Sequence, residues 1–293
     1  LLNINILNSI LLLMILEILL PLATLIILTI SSYTDLKTRE VPDILSYSLI
    51  FIALGLRILF SFIHGKEIII SGLLGLFIGF LIAAAFYYSH QWGGADAKLL
   101  MGMGAVIGIP LALNIETLYF FIFLLALLFI GAFYGLIWMA YLAIKNKEKF
   151  WKKFKSNIQG YGRIHLAIWI ATIFFIILSF KIKTLLFLSI FPILLFYVFV
   201  FVSTIEQSFF TKWISVKQLT EGDWLIGDVI VHEKTIMEKK TIELEDLTIL
   251  QKFYNQGKLK TVKIREGIPF VPSFLIAYIV FLVFIHYRNL FIA

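Results

Sequence analysis

Two aspartates of this 293-residue chain sit in short polar breaks between long apolar runs. Asp35 lies in Ser31-Ser32-Tyr33-Thr34-Asp35-Leu36-Lys37-Thr38-Arg39, and Asp96 in Trp92-Gly93-Gly94-Ala95-Asp96-Ala97-Lys98-Leu99-Leu100. Ionisable groups beside lipid are expensive to maintain, so they are candidates for function by default. Two carboxyl groups sharing one water can hydrolyse a peptide bond. The ionised one takes a proton from water while the protonated one polarises the scissile carbonyl. Close like charges let such a pair hold a single proton near neutrality, and no metal or other cofactor is needed. Gly93, Gly94 and Ala95 leave the backbone beside Asp96 nearly bare, which allows another chain to approach closely.

Each acid also has a plainer reading. Asp35 follows the C-terminal end of an apolar run, where a carboxylate is misplaced against the helix dipole by up to about 1 kcal/mol; the plain alternative is a solvated loop acid paired with Lys37 or Arg39. Asp96 is alternatively the N-cap of the helix that follows it, and Asp43, after Pro42, reads as the N-cap of the next apolar run. Glu17 lies midway in the first run with no partner named by the sequence. His64, His90, His165, His232 and His286 are scattered without metal-ligand spacing, and no metal site is assigned. With no cysteine there is no disulfide framework, thiol nucleophile or cysteine zinc site.

The elements that must position these acids follow from composition. Hydrophobic residues make up 61% of the chain and charged residues 15%, which excludes a soluble enzyme or a nucleic-acid reader and makes lipid the main solvent. Runs of roughly 20 apolar residues predict an all-α polytopic membrane protein of about eight spanning helices. They lie at 11–31, 44–63, 68–89, 97–113, 115–144, 166–180, 184–203 and 271–287. The first run is expected to be a retained span rather than a signal peptide, because it is too long and lacks a basic n-region and a small-residue cleavage site. Alternating inter-span segments divide the basic residues 20 against 5, the five being Arg57, Lys66, Lys181, Lys183 and Arg288, or 10 against 5 without the longest segment. The richer side is cytoplasmic, so both termini are expected outside and both aspartates on the cytoplasmic face of a multi-pass cell-membrane protein.

The expected organisation is a catalytic membrane core at 1–144, a basic cytoplasmic loop at 145–165, a further membrane hairpin at 166–205, a soluble α+β domain at 206–268, and a last helix at 269–293. The 145–163 loop carries seven basic residues against Glu148 and is read as an anchor for anionic lipid. In the soluble domain, Gly222 to Val231 suggests short strands, and a helix is expected from about Glu243 to Gln256 with Gly257 closing it.

These residues resemble the GxGD-type prepilin and preflagellin peptidases, the type IV prepilin peptidase-like aspartic proteases, in their archaeal form. The matching elements are Asp35-Leu36-Lys37 through Val41-Pro42-Asp43, Gly93-Gly94-Ala95-Asp96-Ala97-Lys98-Leu99-Leu100, and Arg265 to Ser273 leading into the last helix. Ala95 stands where the pattern has its second glycine. The resemblance implies a membrane aspartic endopeptidase that removes the basic class III leader from pilin-like or archaellin precursors, with Asp35 and Asp96 as the catalytic pair. Lys98 and Asp43, inside the same motifs, are candidate supporting residues. Membrane lipids are expected partners and nucleic acid is not. Glu243, Glu245 and Asp246 are acids that could receive the leader, or else an ordinary helix N-terminus. The competing classes are a proton- or ion-coupled transporter using the same acids, and a noncatalytic assembly protein in which both aspartates are caps.

Overall fold

A computed structural model describes all residues except 1, 90, 113, 232, 233, 239 and 293, and describes only the backbone of 2–14, 16, 17 and 289–292. His90, His232 and the side chain of Glu17 therefore lie outside the described residues.

The chain runs α1 (Leu2–Thr38), α2 (Asp43–His64), α3 (Glu67–Tyr88), α4 (Gly94–Ile107), α5 (Tyr119–Lys145), α6 (Lys147–Gly160), α7 (Gly162–Ser179) and α8 (Leu185–Ile205). Then follow β1 (Thr211–Ser215), β2 (Trp224–Leu225), β3 (Val229–Val231), β4 (Lys234–Met237), α9 (Leu244–Asn255), β5 (Thr261–Arg265) and α10 (Val271–Ile292). Among the described residues, seven helices are long and apolar enough to cross a membrane: α1 from Ile18, α2, α3, α5, α7, α8 and α10. This is the expected polytopic helical architecture with a small mixed domain before the last helix.

The remaining expected span, 97–113, is the 14-residue helix α4. At 1.5 Å per residue it is about 21 Å long, short of a hydrocarbon core of roughly 30 Å. It compensates by burial: Leu99, Leu100 and Met103 are wholly enclosed. The helix ends at Gly108, whose φ of +74° suits a residue without a side chain.

Two compact units can be described, 1–135 with 267–293, and 136–266. In the first, α1, α2, α3, α4 and α10 pack around a core that includes Leu28, Leu49, Leu99, Met103, Phe120, Phe123, Phe274 and Tyr278. Small residues allow the closest approach. Gly75 and Gly79 of α3 lie against the backbone of α4 at Gly104 and Leu100, positions where a methyl group would intrude. The outer faces stay apolar; Phe62 is 83% exposed and Phe51 71%, as expected of surfaces wetted by lipid.

In the second unit α7 and α8 form a helical hairpin. Most of the 145–165 stretch, expected as a loop, is the helix α6, with Phe150 against Phe201 and Asn157 donating to Thr204 Oγ1 at 3.0 Å on α8. Its apolar and small polar residues at helical spacing were masked in the sequence by the density of lysines. Beyond α8, β1, β5 and β2 make an antiparallel sheet in the order β1-β5-β2, and β3 pairs with β4. Alternation along β5 sends Val262 and Ile264 into a core with Val216, Leu225 and Leu250. Helix α9 ends before Gly257, whose φ is +69°, the left-handed closure expected from the sequence.

Candidate active site

Asp35 lies inside the last turn of α1 rather than beyond it, and it is buried. Its carboxylate is therefore at the unfavourable end of its own helix, where exposed carbonyls repel it. The N-terminus of α10 supplies the compensation. The N–H of Val271 donates to Asp35 Oδ2 at 2.9 Å, and the Phe270 amide beside it also favours negative charge on that carboxyl group. These amides begin a 22-residue helix and have no intrahelical acceptor, so an anion there satisfies both partners. Next to it Arg39, the first residue past α1 and with a φ of +63°, turns the chain and donates its N–H to the Asp35 carbonyl at 3.0 Å. The Arg39 guanidinium reaches Gly267 O at 2.5 Å, so the end of α1 and the approach to α10 are laced together twice.

Asp96 is the third residue of α4, not the residue before it. Gly93 occupies the cap position, and its N–H donates to Asp96 Oδ2 at 3.4 Å, folding the carboxyl group back over the helix start. Asp96 is half-buried, and the charge of Asp35 acts on it. The two carboxyl groups thus share one end of the first unit, one from a helix C-terminus and one from a helix N-terminus.

Gly93 and Gly94 are not demanded by internal packing. A Cβ on Gly93 would find only Asp96 Oδ2 at 3.7 Å, and one on Gly94 only the Tyr87 ring at 3.9 Å, both ordinary contacts. Among the described residues nothing crowds a side chain at either position, and Gly93 is exposed next to Asp96. Ala95, by contrast, packs against the core. Lys98 and Asp43 pair with each other at 2.6 Å, tying α4 to the first residue of α2, with Lys98 also over the Tyr47 ring. Asp43 itself is the first residue of α2 and Pro42 takes the cap position.

Sequence reasoning missed what joins the two motifs. Trp92, just before the glycines, stacks on Phe86 at 4.5 Å and meets Phe270 at 5.6 Å and Phe274 at 5.8 Å. The segment entering α10 therefore touches the Asp96 motif through aromatic rings and the Asp35 motif through main-chain amides. The only sequence signal was the Arg265 to Ser273 stretch, which carried no hint of its contacts.

Among the described residues no group of three or more His, Asp or Glu side chains could hold a metal ion. Of the acids near the start of α9, Asp246 is already engaged. It is buried, accepts the Glu243 N–H at 2.9 Å and pairs with Lys240 at 2.8 Å. Burial works against its charged form, yet the Lys240 hydrogen bond, the Glu243 amide and the Lys240 charge together hold its carboxyl below the usual range. Glu243 and Glu245 are exposed.

Residues 22–141, which hold both aspartates and the glycines, match the Type IV leader peptidase family. A preflagellin peptidase of Methanococcus voltae is 33% identical over 127 residues, covering 41% of this chain and 54% of that protein. A preflagellin peptidase of Methanocaldococcus jannaschii is 36% identical over 81 residues, covering 27% of this chain and 34% of that protein. The chain thus spans about half or less of the length of these relatives. No solved structure matches it. The resemblance carried by the two aspartate motifs is borne out over the matched segment, whereas the amides of Phe270 and Val271 lie outside it.

Proposed function

We propose that this chain is an aspartic endopeptidase of the leader peptidase type, removing the basic leader from pilin-like or archaellin precursors at the cytoplasmic face of the membrane. One observation carries the reading: two carboxyl groups within reach of each other's charge, beside two glycines where the described residues leave room for a side chain, in the segment that matches the leader peptidases. The preflagellin peptidase name of the relatives supplies the substrate class.

The roles follow from the hydrogen bonds. Asp35, whose carboxyl accepts the Val271 N–H at a helix N-terminus, is the partner assigned to take a proton from water. Asp96 is the partner suited to carry the proton and to donate it to the scissile carbonyl oxygen as water attacks the carbon. The tetrahedral species collapses when the proton gained by Asp35 passes to the departing nitrogen. Asp96 then recovers its proton from the hydroxyl as the new carboxyl forms. A precursor lying extended along Gly93 and Gly94 brings its carbonyl to this pair. The basic helix α6, with exposed Lys147, Lys149, Lys152 and Lys155, is a surface for anionic headgroups rather than for a basic leader.

The test mixes vesicles containing the protein with a precursor bearing a basic leader and an apolar helix, and reads product mass. A single cut at the leader boundary is expected. Ion flux dependent on the same aspartates, with no peptide product, would replace this reading with transport.

A further inference from the structure

The sequence places Arg57 among basic residues on the outer side of the membrane, but the structure encloses it within α2, where only 8% of its surface is exposed. A guanidinium stays charged, so enclosing it is costly unless its donors are satisfied. Its two terminal nitrogens meet three carbonyls and a hydroxyl, while Nε has no hydrogen-bond partner among the described residues. Nη1 donates to Ile68 O at 3.0 Å and Ser71 Oγ at 2.7 Å, while Nη2 donates to Val106 O at 2.8 Å and Ile107 O at 3.1 Å. Val106 and Ile107 are the last two residues of α4, whose carbonyls have no intrahelical donor and carry the negative end of the dipole. The slot is built for this side chain: a methyl group on Gly108 would lie 2.7 Å from Nη2, and one on Gly72 would overlap Cδ.

Helix α4 needs such a stop. It is short, its N-terminus lacks a side-chain cap, and its contact with α3 runs along glycines, which permit close approach but offer few side chains to fix the register. We propose that Arg57 is a positioning residue: by capping α4 from α2 it sets the height of that helix and so of Asp96, about 16 Å away along the axis. The consequence for cleavage rests on the aspartate-pair reading above.

The test uses the full chain in lipid vesicles. Arg57→Met keeps the bulk and removes the donors, whereas Arg57→Lys keeps a charge with fewer donors. For Arg57→Met, kcat should fall about 100-fold with KM within about twofold, the cost of misplacing a catalytic group by on the order of 1 Å, and Arg57→Lys should recover part of it. The chain has no cysteine, so spin labels at Tyr88→Cys, ending α3, and Leu111→Cys, beyond α4, both exposed, read the helix register independently of activity. Their distance distribution should broaden or shift in Arg57→Met by up to one turn, about 5.4 Å. An unchanged distribution in Arg57→Met overturns the proposal. Cleavage surviving Asp96→Asn, with the label distance still dependent on Arg57, refutes the aspartate-pair reading instead and leaves the anchoring of α4 intact.

Discussion

Replacing Gly75 by alanine should destabilise the first unit, and the same replacement at Gly55 should not. A Cβ at position 75 falls 2.9 Å from both the Gly104 carbonyl carbon and the Gly108 Cα, and closer still to the Gly104 oxygen. All three are main-chain atoms of α4 or its end, so no rotamer change relieves the overlap, and α3 and α4 must part by roughly 0.5 Å or more to restore carbon contacts near 3.5 Å. Overpacking costs about 1–3 kcal/mol, and a site bounded by backbone belongs at the upper end. Alanine's better helix propensity returns about 0.8 kcal/mol, leaving a net loss of about 2 kcal/mol. A Cβ on Gly55 in α2 meets nothing within 4 Å. There only the propensity gain remains, about 0.5–1 kcal/mol. Unfolding by SDS titration in mixed micelles, followed by circular dichroism, measures both. The two variants should lie about 3 kcal/mol apart, on opposite sides of wild type. Equal stabilities for the pair, or a Gly75→Ala protein as stable as wild type, would refute the tight α3–α4 contact.

Phe270→Ala removes the ring that meets Trp92 and Phe274, so it should cost about 2–3 kcal/mol in the same titration and lower kcat more than it raises KM, because the amide clamp on Asp35 loses its support. In the soluble domain, the depressed Asp246 carboxyl contributes stability that is present above its unfolded pKa, about 3.9, and is lost as pH falls through its lower folded value. Hydrogen exchange of the α9 amides, corrected for intrinsic rates, should therefore show protection falling below about pH 4. In Lys240→Met the protection should already be lower at pH 6 and should vary less with pH, because the partner that holds the carboxyl ionised is gone. Unchanged protection at pH 6 would show that the ion pair does not hold α9.

Most of the architecture was legible because it rests on run length, and run length is a local property. The long apolar stretches gave their helices directly, and the acid-rich start and Gly257 end of α9 gave that helix its limits. Misreadings arose where two signals overlapped. Thr34 to Thr38 look like a loop because they are polar, yet α1 continues through them since α10 receives Asp35. The lysines of 147–155 hid the inward stripe of Phe150 and Asn157 that makes α6 a packed helix. The aspartates and their glycines were visible as residue types in unlikely places. The amides of Phe270 and Val271 were not, because main-chain donors have no residue type and this contact spans 236 positions of sequence. Arg57 was misread for a related reason. A cation near the end of an apolar run looks like a loop residue until the carbonyls that satisfy it are in place.

In the proposed reaction Asp35 and Asp96 act together on one peptide bond. The direct measurement compares precursor cleavage by wild type, Asp35→Asn and Asp96→Asn, each shown by circular dichroism and SDS titration to be folded in its vesicles. Asparagine keeps the size and most of the hydrogen bonding of each side chain but can neither take up nor donate the proton. Both variants should leave the precursor uncut, a loss of at least about 100-fold, the smallest contribution expected of a positioned acid or base. Cleavage at the wild-type rate by either folded variant would show that the two carboxyl groups do not act as a pair.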